Sequence, residues 1–528
     1  MATETITVRH LFNGGWATDF GPSADTVPDQ SGQVNIPYLV DAENVFFEFD
    51  GGPHKIGGTT RVNSSAVASG AVIKGLHDYW RQGTSGAAVR RRVLHAGTTV
   101  LSDTNDGVFT TTLFTGLESG AVPCYATFDD LLILSSDSTV DVPRSWDQTT
   151  AQNLAGSPPR FSFSVVHRNK VFAAGVYALP SRLYYSVTLN PEDWTGGGSG
   201  SIDISPDDGD MITGLISYKG DLFVFKGPNK GSIWRITGSS ASDFALVPFI
   251  KGVGAAWHNA IFEFRDDVGF LTPNGTVLSL SDTARYGDFE ASSLSLPINE
   301  WIRDHLNFNR MRHIQAATDP SRGQVLFVVP IDANTNNNAI LMMDYRFSPP
   351  RWAFWNAHSG GSIAPFVDLQ NQKGLLIGGN DGFVRRINTA GRSLDTGTTA
   401  YTAKVTTPYL SYGNPMMMKT VSQASVGIAP AGNYSLTFGW TRDNNAQQTY
   451  SRTQGGADVL GTVTGVTNFT LGTSALSGGN FVDRFMELHE GGEFRSIQYQ
   501  VTQSGLDQDL ELHNISASIR PGSLSTED

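Results

Sequence analysis

The chain has 528 residues, of which 16% are charged and 39% hydrophobic, and it contains 57 glycines. That balance excludes a helical bundle or coiled coil, and 10% aromatic content excludes a disordered chain. The formal net charge of −13 argues against a face built to grip duplex-DNA phosphates and fits a solubilised surface.

The N-terminus lacks a basic stretch followed by an apolar block, so it does not read as a secretory signal. No run of apolar residues is long enough to span a bilayer. In the first region, residues 1–67, alternating apolar residues from Ala42 run into Asp50, Gly51 and Gly52. That pattern predicts a hairpin. The single cysteine, Cys124, allows no intrachain disulfide and fits assembly in a reducing compartment.

From residue 68 to 397 the texture is strand, turn, strand. Short branched or aromatic runs recur, each bounded by turn-forming residues. Their first apolar pairs begin at Val93, Leu131, Val171, Leu222, Val268, Val325 and Leu375, at spacings of 38, 40, 51, 46, 57 and 50. Polar lead-ins precede most of them: Asp129 and Asp130, Arg168 and Asn169, Lys219 and Gly220, Arg265 and Asp266, and the stretch after Leu369. Tryptophan or arginine strands close several units, at Trp146, Trp194, Trp234, Trp352 and Arg385. Periods of about 40 to 50 residues built from four short strands are the mark of propeller blades. The expected fold is therefore all-β: an irregular β-propeller of six to seven blades. One helix interrupts it, predicted over Pro297–Met311 from apolar residues at three- and four-residue steps. Residues 398–528 change turn character at Gly413, Asn444 and Gly478, and predict an additional C-terminal β-sandwich domain with a fraying tail after Arg520.

Chemistry-bearing patterns are sparse. Ser199 lies in a Gly/Ser tract with no helix behind it, unlike a nucleophile elbow. His305 and His313, the closest histidine pair, lack metal-ligand spacing. Cys124 reads as a small buried hydrophobe. The acidic turns at Asp103–Gly107 and Asp207–Asp210 could offer oxygens to Ca²⁺, yet neither continues as an EF-hand loop, and Asp-Gly is also ordinary hairpin chemistry. Trp194, Trp234, Trp352 and Trp355 could stack on sugars or pack between blades. Arg90, Arg91 and Arg92, like Arg385 and Arg386, read as solvated strand edges. No catalytic, cofactor-binding or metal-binding residue is singled out, and no cofactor is expected.

Longer phrases carry a resemblance. Asn35–Gly52, Ser181–Ser186 leading to Trp194, Ile212–Lys226 continuing to Gly238, and Phe264–Val277 together resemble the tail nozzle or hub proteins of short-tailed bacteriophages. The likeness runs from about residue 35 to 520 and is one of pattern. It implies a structural, non-enzymatic virion tail subunit, assembled in the host cytoplasm as a homohexameric ring. Such a ring would act as conduit and gate for the genome. The implied partners are further copies of the chain, a head–tail adaptor ring, tail fibres or spikes, and double-stranded DNA passing without sequence-specific binding. The other reading of the same propeller is a carbohydrate-binding or carbohydrate-cleaving tail protein, a receptor binder or depolymerase.

Overall fold

The structure, a computed structural model, describes residues 6–10, 12, 14–19, 23–24, 38–49, 51–82, 88–104, 106–286, 293–368, 372–395, 397–413, 415–428, 434–454, 482–486 and 492–524. The turn residues expected at Asp50, at 369–371 and at Gly478 lie outside this set. Among the described residues no helix is long and apolar enough to cross a membrane.

Seven strands stand around one axis: Ile73–Gln82, Cys124–Phe128, Phe163–His167, Met211–Tyr218, Ile261–Phe264, Gln315–Asp319 and Ser362–Val367. Each begins an antiparallel meander that runs outward. Six of these meanders are separate small sheets, and the remaining one, starting at Gln315, is the end of an eleven-stranded sheet. The expected irregular propeller is the observed fold. The apolar pairs that define the sequence period all lie in the second strand of a blade, for example Leu131–Ser135, Lys170–Ala174 and Gln324–Val329. These second strands are buried on both faces, as in Gln324–Val329, where every residue is buried. Sandwiching between neighbouring blades removes the alternation that a one-sided sheet would show.

The polar lead-ins are the reversals between first and second strands. Asp129 and Asp130 have φ of 46° and 63°, Arg168 and Asn169 48° and 56°, and Lys219 and Gly220 48° and 86°. Two consecutive left-handed residues make the tight turn whose twist matches an antiparallel pair. The flanking pairs are Phe128 with Leu131, His167 with Lys170 and Tyr218 with Asp221. Neighbouring turns are linked: Arg168 Nη2 donates to the Gly220 carbonyl at 2.9 Å, and Lys219 Nζ to the Asp266 carbonyl at 2.9 Å.

Strand Gly58–Arg61 is the outermost strand of blade seven, paired with Val384–Thr389. Arg61 and Arg385 both bind Asp395, at 2.7 Å each, and fix that outer strand in place. The hairpin expected near Ala42 is present as Val45–Phe47 paired with Pro53–Lys55. Two further sheets hold the C-terminal strands. One orders Ile6–His10, Leu512–Leu524, Met417–Ile428 and Val482–Met486. The other joins Ile497–Gln503, Ala403–Thr406 and Asp41–Glu43 to blade six through Phe354 beside Glu43. Val426, Ile515, Phe438, Tyr499 and Val501 share one core with Phe327, Trp352 and Trp355 of that blade.

The helix expected over 297–311 is broken. A 3-10 turn at Leu296–Ile298 leads into an α-helix at Asn299–His305, and a second 3-10 stretch covers Phe308–His313. Leu306 between them is extended and bridges to Ile331. The neighbouring blade supplies hydrogen bonds there that an intact helix would lack, with the Asp332 amide donating to the His305 carbonyl at 2.6 Å. A second helix, Leu280–Tyr286, follows the three strands of blade five and was not foreseen.

Candidate functional site

The seven inner strands enclose an axial cavity of about 1320 Å³. Its wall carries His77, Tyr125, Ser164, Ser217, Glu263 and Gln315 among mostly small and apolar neighbours. The end where the inner strands begin is crossed by hydrogen bonds. The Asn259 side-chain amide reaches from blade five to the Pro123 carbonyl of blade two at 3.4 Å. Gln315 Nε2 donates to the Lys74 carbonyl at 2.8 Å, joining blade six to blade one. At the other end Arg265, Asp319 and Lys373 line the cavity beside the strand-reversal turns.

Polar groups on the wall fall into two kinds. Some are spoken for: His77 Nε2 lies 3.3 Å from Thr127 Oγ1, and His258 Nδ1 accepts the Leu215 amide at 3.3 Å. Burial holds the His77 and His258 imidazoles down at about 4, so both are neutral at pH 7. Others have no partner. Tyr125 Oη and Ser164 Oγ, on adjacent inner strands, are buried atoms with no hydrogen bond among the described residues. A buried polar atom left unpaired costs about 1–3 kcal/mol. Burial also raises the Tyr125 phenol well above its ordinary range, keeping it a donor. Its ring stacks on His77 with centroids 5.1 Å apart. Three carboxylates line the cavity. Asp78 is forked onto Arg90, Asp319 accepts from the Ser321 amide and hydroxyl, and the Glu263 side chain is exposed.

The residues weighed from sequence lie mostly elsewhere. Cys124 lines the cavity, buried, and desolvation pushes its thiol up to about 11. Ser199 closes a local turn onto the Gly196 carbonyl at 2.8 Å. His305 pairs with Asp332 at 3.1 Å, apart from His313. Among the described residues no three metal-ligating side chains cluster. Asp210 holds the amides of Asn229, Lys230 and Gly231, while Asp208 binds the buried Lys226 at 2.7 Å. Asp103 binds Arg92 at 2.6 Å and the Gly107 amide at 3.0 Å. Trp352 and Trp355 are fully buried in the core and Trp194 packs on Phe161, so these three are not sugar platforms. The arginine runs are corrected: Arg90 and Arg92 are buried and paired with Asp78 and Asp103 inside blade one, because their strand is flanked on both sides. Arg385 and Arg386 are likewise paired, with Asp381, Asp395 and Asp368.

Tyr125, Ser164, His77 and Gln315 escaped the sequence reading because the strong apolar signal marks second strands. Stepping back across each two-residue turn from Leu131 or Val171 reaches the inner strands directly.

No family model matches the chain, and no curated protein matches it. Solved structures do. An exo-β-1,3-galactanase from Phanerochaete chrysosporium, with β-1,3-galactotriose, is 8% identical at a TM-score of 0.27, covering 88% of this chain and 100% of that one. The extracellular domain of the hybrid two-component system BT4673 from B. thetaiotaomicron is also 8% identical at 0.27, covering 66% of this chain and 41% of that one. Likenesses this distant carry no substrate or reaction to this chain. The expectation that the chain is not an enzyme is corrected on the fold alone, since a propeller scaffold does not separate catalytic from passive roles.

Proposed function

We propose that the chain is a tail-borne β-propeller of a short-tailed bacteriophage that takes a carbohydrate of the host surface into its axial cavity. The observation that carries the carbohydrate is the wide axial cavity with the exposed Glu263 side chain on its wall, beside His77 and Gln315. Sugar hydroxyls donate and accept at once, and would pair with that carboxylate. The cavity exceeds the roughly 300–1,000 Å³ typical of small-ligand pockets, so it admits several sugar units. The tail setting rests on the sequence phrases from Ile212 to Gly238 and from Phe264 to Val277. Cleavage belongs to the same reading, since Glu263 and Asp319 of neighbouring inner strands line the cavity and glycoside hydrolysis uses two carboxyls. The test is a glycan array of capsule and lipopolysaccharide oligosaccharides, followed by reducing-end release from any bound chain. Binding lost in Glu263→Gln supports the reading; no binding to any glycan overturns it.

A second reading is a subunit of a tail conduit, homohexameric, docked on a head–tail adaptor and touching fibres or spikes. It is favoured by large apolar side chains in solvent, Tyr177 at 77%, Phe49 at 74% and Met416 at 69% exposed, which suit subunit contacts. DNA in that reading passes between copies, because Asn259 and Gln315 cross the propeller's own axis. Light-scattering mass and negative-stain images decide it: six-fold rings support it, and a monomer in the presence of the adaptor ring removes it.

A further inference from the structure

Three neighbouring blades carry a basic residue at the same place. Arg168, Lys219 and Arg265 each open the turn between the first and second strands, in blades three, four and five, with φ of 48°, 48° and 51°. That left-handed conformation suits Gly, Asn or Asp, and no long basic side chain is needed to make it. All three residues are exposed. Each donates to a backbone carbonyl of the next blade: Arg168 Nη2 to Gly220 at 2.9 Å, Lys219 Nζ to Asp266 at 2.9 Å and Arg265 Nη2 to Phe347 at 3.1 Å. Gly220 follows Lys219, and Asp266 follows Arg265, so these contacts lay the three cations side by side in one arc. Arg265 also lines the axial cavity, so the arc ends at the cavity wall.

Among the described residues none of the three is in an ion pair. One bond to a carbonyl leaves further N–H donors on each cation. The carboxylates of the same turns are largely committed: Asp221 pairs with Arg235 at 3.5 Å and Asp267 accepts from the Ser281 hydroxyl at 2.7 Å, while Asp266 is exposed. Two cations lie over aromatic rings, Lys219 Nζ 4.9 Å from the Tyr218 centroid and the Arg265 guanidinium 5.8 Å from that of Tyr345, which also lines the cavity. We propose that the arc is a subsite for an acidic glycan, with Arg168, Lys219 and Arg265 meeting carboxylates of the sugar chain as it enters the cavity. The inference rests on the carbohydrate reading above and names the class of sugar. Charge-assisted bonds from these cations to carboxylates are the strong kind, and the sugar hydroxyls are left for Glu263. Asp129 and Asp130 hold the corresponding turn of blade two, and Asp319 lines the cavity in blade six, so the positive stretch is bounded at both ends. A narrow acidic chain can follow it. A DNA duplex would also meet those carboxylates, on a protein of net charge −13.

The experiment uses the full chain with trigalacturonate and its uncharged methyl ester, measured by calorimetry at low and high salt. The acid should bind about tenfold more tightly than the ester at low salt, and the advantage should shrink as salt is added. A variant with Arg168→Asn, Lys219→Asn and Arg265→Asn keeps residues that suit the left-handed turns and should bind acid and ester alike. A charge-keeping variant with Arg168→Lys, Lys219→Arg and Arg265→Lys should retain the preference; its loss in both variants would place the effect in turn structure and overturn the proposal. A preference that survives the asparagine variant overturns it too. Equal binding of acid and ester by the parent protein, or binding of neither while a neutral glycan of the array is held, overturns the arc and leaves the cavity reading standing. Failure to bind any glycan overturns both. Displacement of the acid by a short DNA duplex that the asparagine variant no longer binds would assign the arc to nucleic acid and overturn the proposal.

Discussion

Asp78 and Val367 join the first and last blades of the ring: the Val367 amide donates to Asp78 Oδ2 at 3.2 Å, while the same carboxylate holds Arg90 at 2.6 and 2.5 Å. Arg90 is buried, with its side chain 6% exposed. Removing the carboxylate leaves an uncompensated guanidinium inside blade one. Asp78→Ala should lower unfolding free energy by about 3–5 kcal/mol, and Asp78→Leu with Arg90→Met should recover most of it. Urea unfolding of the two variants beside the parent protein checks this; equal loss in the single and double variants would contradict it.

The turn at Arg168 and Asn169 places Asn169 at φ 56°, a conformation that a β-branched residue tolerates poorly. Asn169→Gly should be neutral or stabilising by a few tenths of a kcal/mol, and Asn169→Val should cost about 1–2 kcal/mol. Thermal midpoints of the pair measure the difference.

Buried histidines, His95 and His358 among them, set an acid limit. His95 and His358 are buried, and burial lowers them to about 4 and about 3 from an unfolded value of 6.5. Between about pH 6.5 and 4 the unfolded chain binds more protons at these sites, so stability is complete above that window and falls as pH drops through it. Unfolding midpoints from pH 8 to 4.5 should decline below 6.5, and less steeply in His95→Leu. A flat profile would contradict the assignment.

Tyr125→Phe tests the buried, unpaired hydroxyl of the second blade. Deleting it should leave the protein as stable or up to about 1–2 kcal/mol more so. Thermal melts of the variant beside the parent protein read the difference, and a clear loss of stability would contradict it.

The sequence makes the blade period visible because most second strands are apolar on both faces and several two-residue turns use Asp, Asn or Gly in a left-handed conformation, as at Asp129, Asn169 and Gly220. It hides the inner strands, which mix Thr127, Ser164 and Glu263 with apolar neighbours, since the cavity takes the place of a packing partner. It also misleads about Arg90 and Arg92. Their partners Asp78 and Asp103 come from flanking strands, a pairing that only sheet register brings together. The helix at 297–311 carries a good apolar stripe, but Leu306 finds Ile331 across the chain and breaks it.

The most direct test is a crystal structure of the protein soaked with the host-surface oligosaccharide that binds most tightly. The account predicts sugar density on the propeller axis, with hydroxyls within hydrogen-bond distance of the Glu263 carboxylate. Density confined to the outer blade faces, with the axial cavity empty, would contradict it.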